Sequence, residues 1–81
     1  MFHILILNSR PRSQDSVVYE GKAASAILPG VEGEFEILDF HKPILSRLKN
    51  GFIVVDNAKE LQIKGGVAKM DCQSLVAVVD L

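Results

Sequence analysis

The sequence has few of the residues that commonly build reactive or nucleic-acid-binding sites. It contains one cysteine and no tryptophan in 81 residues. Cys72 alone excludes an internal disulfide, and with two distant histidines it does not form a metal site; a reducing, cytosol-like compartment is therefore expected. The net charge is −1 with both signs interspersed, which argues against a nucleic-acid binder, because such a protein needs a basic face.

Long hydrophobic runs are also missing. No apolar run approaches the ~18 residues that a membrane-spanning helix requires. The opening "MFHILIL" lacks a basic region and a cleavage site, so it predicts a first strand rather than a signal peptide. Hydrophobic residues make up 48% of the chain and charged residues 23%, as in a globular protein. The length predicts one domain over residues 1–81.

Closely spaced turn residues predict an all-β fold. The turns are Asn50-Gly51, Asp56-Asn57, Gly65-Gly66 and Asp71-Cys72-Gln73. Between them there is room for strands of ~5–6 residues but not for an ordinary helix, and Asn-Gly is typical of a tight hairpin. The predicted strands are residues 2–7, 17–19, 22–28, 35–38, 52–55, 59–64, 67–70 and 75–79. Gly21 is expected to interrupt the strand that begins at residue 17. The segment "KPILSRL" leaves a short helix open, since Ile44, Leu45 and Leu48 have helical spacing and Pro43 could begin one.

The alternation of apolar and polar residues indicates how these strands pack. Leu61 and Ile63 alternate with polar residues, as in a half-buried strand, whereas residues 75–79 are apolar on both faces and should be covered more deeply. Short strands in a small chain bury their apolar sides by packing face to face. The predicted fold is a flattened β-sandwich or barrel of about ten strands.

The glycine-rich "LPGVEGEFEIL" does not suit phosphate binding. It continues into a strand, and Glu32 and Glu34 would repel an anion, so turn glycines are the better interpretation. His41 has no nucleophile elbow near it, and Glu34 and Glu36 share one solvated strand face. No catalytic, cofactor or metal site is predicted. The alternative is a small β-barrel interaction or ligand-binding module using the Glu34/His41 loop.

The stretch "LPGVEGEFEIL…HKPILSRLKNG" closely resembles the signature region of the epsilon subunit of rotary F-type ATP synthases. The matching positions are Gly30, Glu32, Gly33, Glu34, Phe35, Ile37, His41, Pro43, Ile44, Leu45, Leu48, Lys49 and Gly51. Upstream "VVYEGKAASAILPG" and downstream "LQIKGGVAKM", which resembles the family's Gly-Gly hairpin, extend the resemblance over nearly the whole chain. The chain departs from the family pattern at Glu36, Asp39-Phe40, Lys42 and Lys69-Met70.

The resemblance implies a non-catalytic rotor subunit. Such a subunit links gamma to the polar loops of the membrane c-ring and supports proton-driven ATP synthesis, peripheral to the cytoplasmic face of a bacterial inner membrane. It implies a partner-binding set of Gly30, Glu32, Gly33, Glu34, Phe40 and His41, with Glu34 as the main c-ring contact. An apolar patch, with Tyr19, Phe40 and Met70 as candidates, should complete the gamma interface. No nucleic acid is expected as a partner, and the isolated chain should be a monomer.

Most members of the family continue with two regulatory C-terminal helices, and this sequence ends with the sandwich. We therefore expect it to lack the inhibitory helices, either as one domain of a longer protein or as a naturally short form.

Overall fold

The structure is a computed structural model, and it describes residues 1–9, 17–39 and 42–81. These ranges contain nine strands and no helix, so none of them holds a helix that could span a membrane. The strands are β1 (Phe2–Asn8), β2 (Val17–Ala23), β3 (Ser25–Gly30), β4 (Gly33–Leu38), β5 (Ile44–Leu48), β6 (Gly51–Val55), β7 (Lys59–Ile63), β8 (Gly65–Asp71) and β9 (Ser74–Asp80). The predicted all-β class is confirmed.

The strands form one continuous sheet that curls into two layers. Its order is β2-β1-β9-β8-β5-β3-β6-β7, and β4 pairs with β3 outside this path. The strands β1 and β9, from opposite ends of the chain, pair in parallel from His3–Ser74 to Asn8–Val79. All the other pairings are antiparallel. The layers connect where Gly30 of β3 pairs with Leu48 of β5.

Alternating side chains build a single buried cluster between the layers. On β1 the side chains of Phe2, Ile4 and Ile6 are buried, while the residues between them are half-buried. The cluster also contains Ala23, Ala26, Leu28, Ile37, Leu48, Ile53, Val55, Ile63, Ala68, Met70, Leu75, Ala77 and Val79. Because strand side chains alternate between faces, each strand gives one face to this core and the other to the outside.

Two local predictions differ from the structure, and the structure also decides the one segment that the sequence left open. The 44–48 segment is strand β5, not a helix, because its backbone pairs with β8 from Ile44–Met70 to Leu48–Gly66. Gly21 does not interrupt the strand; β2 continues through it to Ala23 and pairs with β1. The predicted deep cover of residues 75–79 on both faces is wrong, since Val78 is 40% exposed on the outer face.

Two of the predicted hairpins join strands that are not neighbours. Asn50-Gly51 lies between β5 and β6, and Gly65-Gly66 follows β7 at the start of β8, yet neither pair of strands is hydrogen-bonded together. Both segments instead carry the chain across the sandwich. The tight turn with two positive φ angles occurs at Asp56-Asn57, where both φ values are 54°; these two residues and Ala58 connect β6 to β7.

Candidate functional site

The hairpin of β3 and β4 carries most of the predicted partner-binding residues. Its strands pair from Ser25–Leu38 to Gly30–Gly33, which leaves Val31 and Glu32 as the two turn residues. Val31, Glu32 and Glu34 are exposed at this end of the molecule. The hairpin therefore projects two carboxylates and one apolar side chain outwards.

Glycine shapes the base of this hairpin. A Cβ on Gly30 would lie 2.7 Å from the carbonyl oxygen of Gly33 and 2.9 Å from the ring of Phe35. Gly30 itself is buried, and Phe35 is half-buried against the core. The bare backbone at Gly30 thus allows the aromatic ring of Phe35 to pack across the hairpin.

Two backbone hydrogen bonds fix the hairpin to strand β5. The N–H of Val31 donates to the carbonyl oxygen of Arg47 at 3.0 Å, and the N–H of Lys49 donates to that of Pro29 at 2.8 Å. Together with the Gly30–Leu48 pairing, they hold the tip of the hairpin against the end of β5. The carboxylates therefore lie on a rigid element and not on a free loop.

The hairpin and β5 enclose an open groove, called the hairpin groove below, with a volume of about 530 Å³. Its lining residues are Gly30, Val31, Glu32, Gly33, Glu34, Phe35, Leu45, Ser46 and Arg47. On the β5 side, Leu45 is 75% exposed and Arg47 is exposed. The groove thus has an acidic wall, a basic wall and apolar surface between them.

The structure brings four of the six predicted residues together. Gly30, Glu32, Gly33 and Glu34 all line the hairpin groove, whereas Phe40 and His41 lie outside the described residues. Sequence reasoning missed Leu45 and Arg47, because the helical spacing of 44–48 obscured the strand alternation that places both side chains on one face.

Of the candidates for an apolar patch, Met70 does not fit. Its side chain is fully buried in the core because β8 points it inwards, so it contributes nothing to an exposed surface. Tyr19 is half-buried and packs against the core. Its ring lies 5.8 Å from the Nζ of Lys59, and this contact joins strands β2 and β7.

The outer face of the β1-β9-β8 sheet carries an apolar stripe. The register places Leu5 beside Val76, and it places Leu7, Val78 and Val67 in one row across three strands. Val67 is 43% exposed and Val78 is 40% exposed. We call these five residues the outer stripe. It adjoins the β5 side of the hairpin groove, because Val67 pairs with Arg47 and both side chains face outwards.

Reactive side chains do not converge in the described parts of the chain. Cys72 is exposed in the two-residue turn between β8 and β9, with a φ of 56°. His3 Nε2 lies 3.4 Å from a carboxylate oxygen of Glu20, and both side chains are exposed. Within residues 1–9, 17–39 and 42–81, no three histidine, cysteine or acidic residues group as metal ligands.

Comparisons with known proteins agree with the sequence resemblance. The family model for "ATP synthase, Delta/Epsilon chain, beta-sandwich domain" matches residues 12–80. The ATP synthase epsilon chain of Campylobacter jejuni is 41% identical, over 68% of this chain and 46% of the relative. The ATP synthase epsilon chain 2 of Ralstonia nicotianae is 36% identical, over 78% of this chain and 48% of the relative. The chain spans about half the length of these curated relatives.

Solved structures share the fold. A chain from the central stalk and c-ring structure of the Tetrahymena thermophila mitochondrial ATP synthase aligns with a TM-score of 0.74 at 11% identity, covering 98% of this chain and 63% of that one. A chain from the Euglena gracilis mitochondrial ATP synthase gives 0.72 at 22% identity, covering 98% and 51%. At these identities the likeness concerns the fold alone. With the family model matched over residues 12–80, this chain belongs to the ATP synthase delta/epsilon chain beta-sandwich domain family.

Proposed function

We propose that this chain is a non-catalytic rotor component of an F-type ATP synthase that links the gamma subunit to the polar loops of the c-ring. In this role it transmits rotation and supports proton-driven ATP synthesis, peripheral to the cytoplasmic face of a bacterial inner membrane. The family membership and the epsilon-chain relatives support the proposal. The observation that carries it structurally is the rigid, exposed acidic hairpin, which is suited to contact with another protein.

The hairpin supplies the proposed c-ring contact. Glu32 and Glu34 are exposed, and backbone bonds to β5 hold their hairpin in place. Exposed charge pairs each contribute only ~0–1 kcal/mol, so coupling requires a broad contact with several groups. Gly30 and Gly33 shape this contact, and we place Phe40 and His41 in the same partner-binding set on the basis of the sequence motif.

The outer stripe supplies the proposed gamma contact. Valine and leucine side chains in adjacent rows form apolar surface on the outer sheet face, and such patches commonly mark protein interfaces. This stripe replaces Met70 in the predicted apolar patch. Gamma and the c-ring would then contact adjoining surfaces through different side chains, so each contact is tested with its own variants.

Co-purification with recombinant gamma and with detergent-solubilised c-ring tests the c-ring contact. Glu34→Ala should weaken capture of the c-ring about two- to fivefold, because one exposed charge contact is lost, and Glu34→Ala with His41→Ala should weaken it further. Glu60→Ala is the matched control, since Glu60 is exposed on edge strand β7. If the double variant retains full c-ring capture, the site assignment is wrong, and if wild type captures neither partner, the rotor role is wrong.

A charge in the outer stripe tests the gamma contact. Val67→Asp should reduce gamma capture by at least about tenfold, because a carboxylate would be buried against an apolar surface. Phe52→Asp is the control: Phe52 is 49% exposed on β6, in the other layer. If Phe52→Asp reduces gamma capture and Val67→Asp does not, gamma binds the other layer of the sandwich.

A further inference from the structure

The layer formed by β4, β3, β6 and β7 has an outer face of its own. Ile27 pairs with Glu36 on one side and with Val54 on the other. Val54 in turn pairs with Glu60, so these four side chains form one row across the sheet. Phe52 lies two residues before Val54 on the same face of β6, and it is 49% exposed. We call these five residues the acid-bordered face.

The row is apolar in the middle and acidic at both ends. Its two central residues, Ile27 and Val54, are half-buried. Glu36 and Glu60, at its ends, are exposed. The outward-facing positions of these four strands carry no lysine or arginine, and their charged residues are the two glutamates and Glu34. The face therefore combines an apolar centre with charge of one sign.

We propose that the acid-bordered face binds an amphipathic helix of a partner protein, whose apolar stripe is bordered on both sides by lysine or arginine. The proposal goes beyond the rotor role, because neither the proposed c-ring contact nor the proposed gamma contact uses these five residues. Glu36 is also a position at which the chain departs from the family pattern, so the acidic border is a feature of this sequence.

The first argument is the width of the row. Adjacent strands lie about 4.8 Å apart, so the two glutamates, which are three strand spacings apart, are separated by about 14 Å. An α-helix with its side chains is about 10–12 Å wide. One helix therefore covers the apolar centre and brings each of its flanks to a carboxylate. A single extended strand, about 5 Å wide, reaches one carboxylate at most.

The second argument is the sign of the charge. A second copy of this chain packed face to face would bring more glutamates and no cation, and like charges across an interface oppose binding. An anionic lipid surface would be repelled for the same reason. A helix with basic flanks complements both the apolar centre and the two ends of the row.

Helical peptides provide the direct test. Four stapled peptides of about five turns share one leucine stripe. They carry lysine on both flanks, lysine on one flank and glutamine on the other, glutamine on both, or glutamate on both. Each is titrated into the ¹⁵N-labelled chain at low salt, and the amide signals of Ile27, Val54 and Gln62 are followed by NMR. Each lysine flank should tighten binding about two- to fivefold over glutamine, as expected for one exposed charge contact, and the glutamate peptide should bind most weakly.

Charge-neutralising variants assign the two ends of the row. In Glu36→Gln, the peptides with lysine on both flanks and on one flank should bind equally, because one carboxylate remains and a helix can reverse its direction to reach it. Glu60→Gln should give the same result, and the double variant should make both peptides equal to the glutamine peptide. Glu20→Gln on β2, in the other layer, is the matched control and should preserve the whole order.

An apolar substitution tests the centre of the face. Phe52→Ser should weaken binding of every peptide by at least about tenfold, because the contact of a half-exposed ring is lost. Replacing the leucines of the peptide with alanine should have the same effect on the unaltered chain. Val78→Ser is the matched control, since Val78 is 40% exposed in the outer stripe.

The proposal is overturned if the glutamate peptide binds as tightly as the lysine peptide, if Val78→Ser weakens binding and Phe52→Ser does not, or if no peptide shifts these amides at ~1 mM, a concentration that detects millimolar binding. Shifts caused by phosphatidylglycerol vesicles would identify a lipid surface as the occupant, and shifts that depend on the concentration of the free chain would identify a second copy; either result overturns it as well. All these results leave the rotor role standing, and failure to capture gamma or c-ring leaves the peptide result valid.

Discussion

Gly66 lies at the centre of the sheet, and replacing it with alanine should strongly destabilise the protein. The residue pairs with Leu48 of β5 on one side and with Val79 of β9 on the other. Its φ is +149°, and a Cβ there would lie 2.3 Å from the carbonyl oxygen of Val78 and 2.8 Å from the Cα of Val79. These are backbone atoms of a paired strand, so they cannot move aside as the end of a flexible side chain can.

Replacing Gly66 with alanine has two energetic costs, the positive φ and the steric clash. Gly33 allows them to be separated. Its φ is +133°, but nothing lies within 4 Å of a Cβ built on it. Gly33→Ala therefore measures the backbone conformation alone, about 1–3 kcal/mol. Gly66→Ala has the same backbone cost. The steric clash adds the cost of overpacking, about 1–3 kcal/mol or more. The free energy of unfolding of a domain this size is about 4–12 kcal/mol, so Gly66→Ala should leave it marginally folded or unfolded.

Urea unfolding at 25 °C measures both variants. Far-UV circular dichroism follows the sheet, and tyrosine fluorescence follows the core, because the chain has one tyrosine, Tyr19, and no tryptophan. Gly21→Ala is the third variant: the nearest atom to its Cβ is the Tyr19 hydroxyl at 3.7 Å, an ordinary contact. We expect it to change the free energy of unfolding by less than about 0.5 kcal/mol.

The difference in stability between Gly66→Ala and Gly33→Ala tests whether β9 leaves room for a side chain at position 66. In thermal unfolding, each kcal/mol should lower Tm by about 4–8 °C in a domain of this size. If Gly66→Ala and Gly33→Ala are equally stable within about 0.5 kcal/mol, a typical measurement error, the close approach of β9 to Gly66 does not limit that position. The steric explanation for glycine at position 66, at the start of β8, would then be refuted.

Two further stability predictions use the same unfolding assay. Leu75→Ala should lower the free energy of unfolding by about 2–5 kcal/mol because Leu75 is fully buried, whereas Leu45→Ala should change it by less than about 0.5 kcal/mol; equal effects would contradict the assigned core. Asp56 Oδ1 accepts hydrogen bonds from the N–H groups of Ala24 at 2.7 Å and Ser25 at 3.1 Å, so Asp56→Ala should cost about 1–3 kcal/mol. Asp56→Asn keeps an acceptor oxygen and a residue that tolerates the positive φ, and it should recover most of that loss.

Local sequence pattern predicted the strands well where alternation and turn residues agreed. In β7, Leu61 and Ile63 face the core as expected, while Glu60 is exposed. Asp56-Asn57 forms a tight turn because both residues tolerate a positive φ. Such features depend on side-chain size and backbone preference within a few residues, so the sequence alone is sufficient to predict them.

Which strands become neighbours depended on contacts between distant parts of the chain. Asn50-Gly51 carries a strong local hairpin signal, yet β5 pairs with β8 and β6 pairs with β7, because those partners bury Leu48 and Ile53 in one core. For the same reason, the helical spacing of residues 44–48 gave way to strand pairing with β8. Local preferences of this kind are worth only tenths of a kcal/mol per residue, and burial of the core outweighs them.

The amino-acid sequence by itself determined the family, the all-β class and four residues of the hairpin groove, because a contiguous motif and short-range periodicity carry that information. Tertiary structure decided the opposite wall. Arg47 reaches the groove only because β5 is hydrogen-bonded to the tip of the hairpin. These bonds join residues sixteen positions apart (Val31 and Arg47) and twenty positions apart (Pro29 and Lys49), and no local pattern specifies such a pairing.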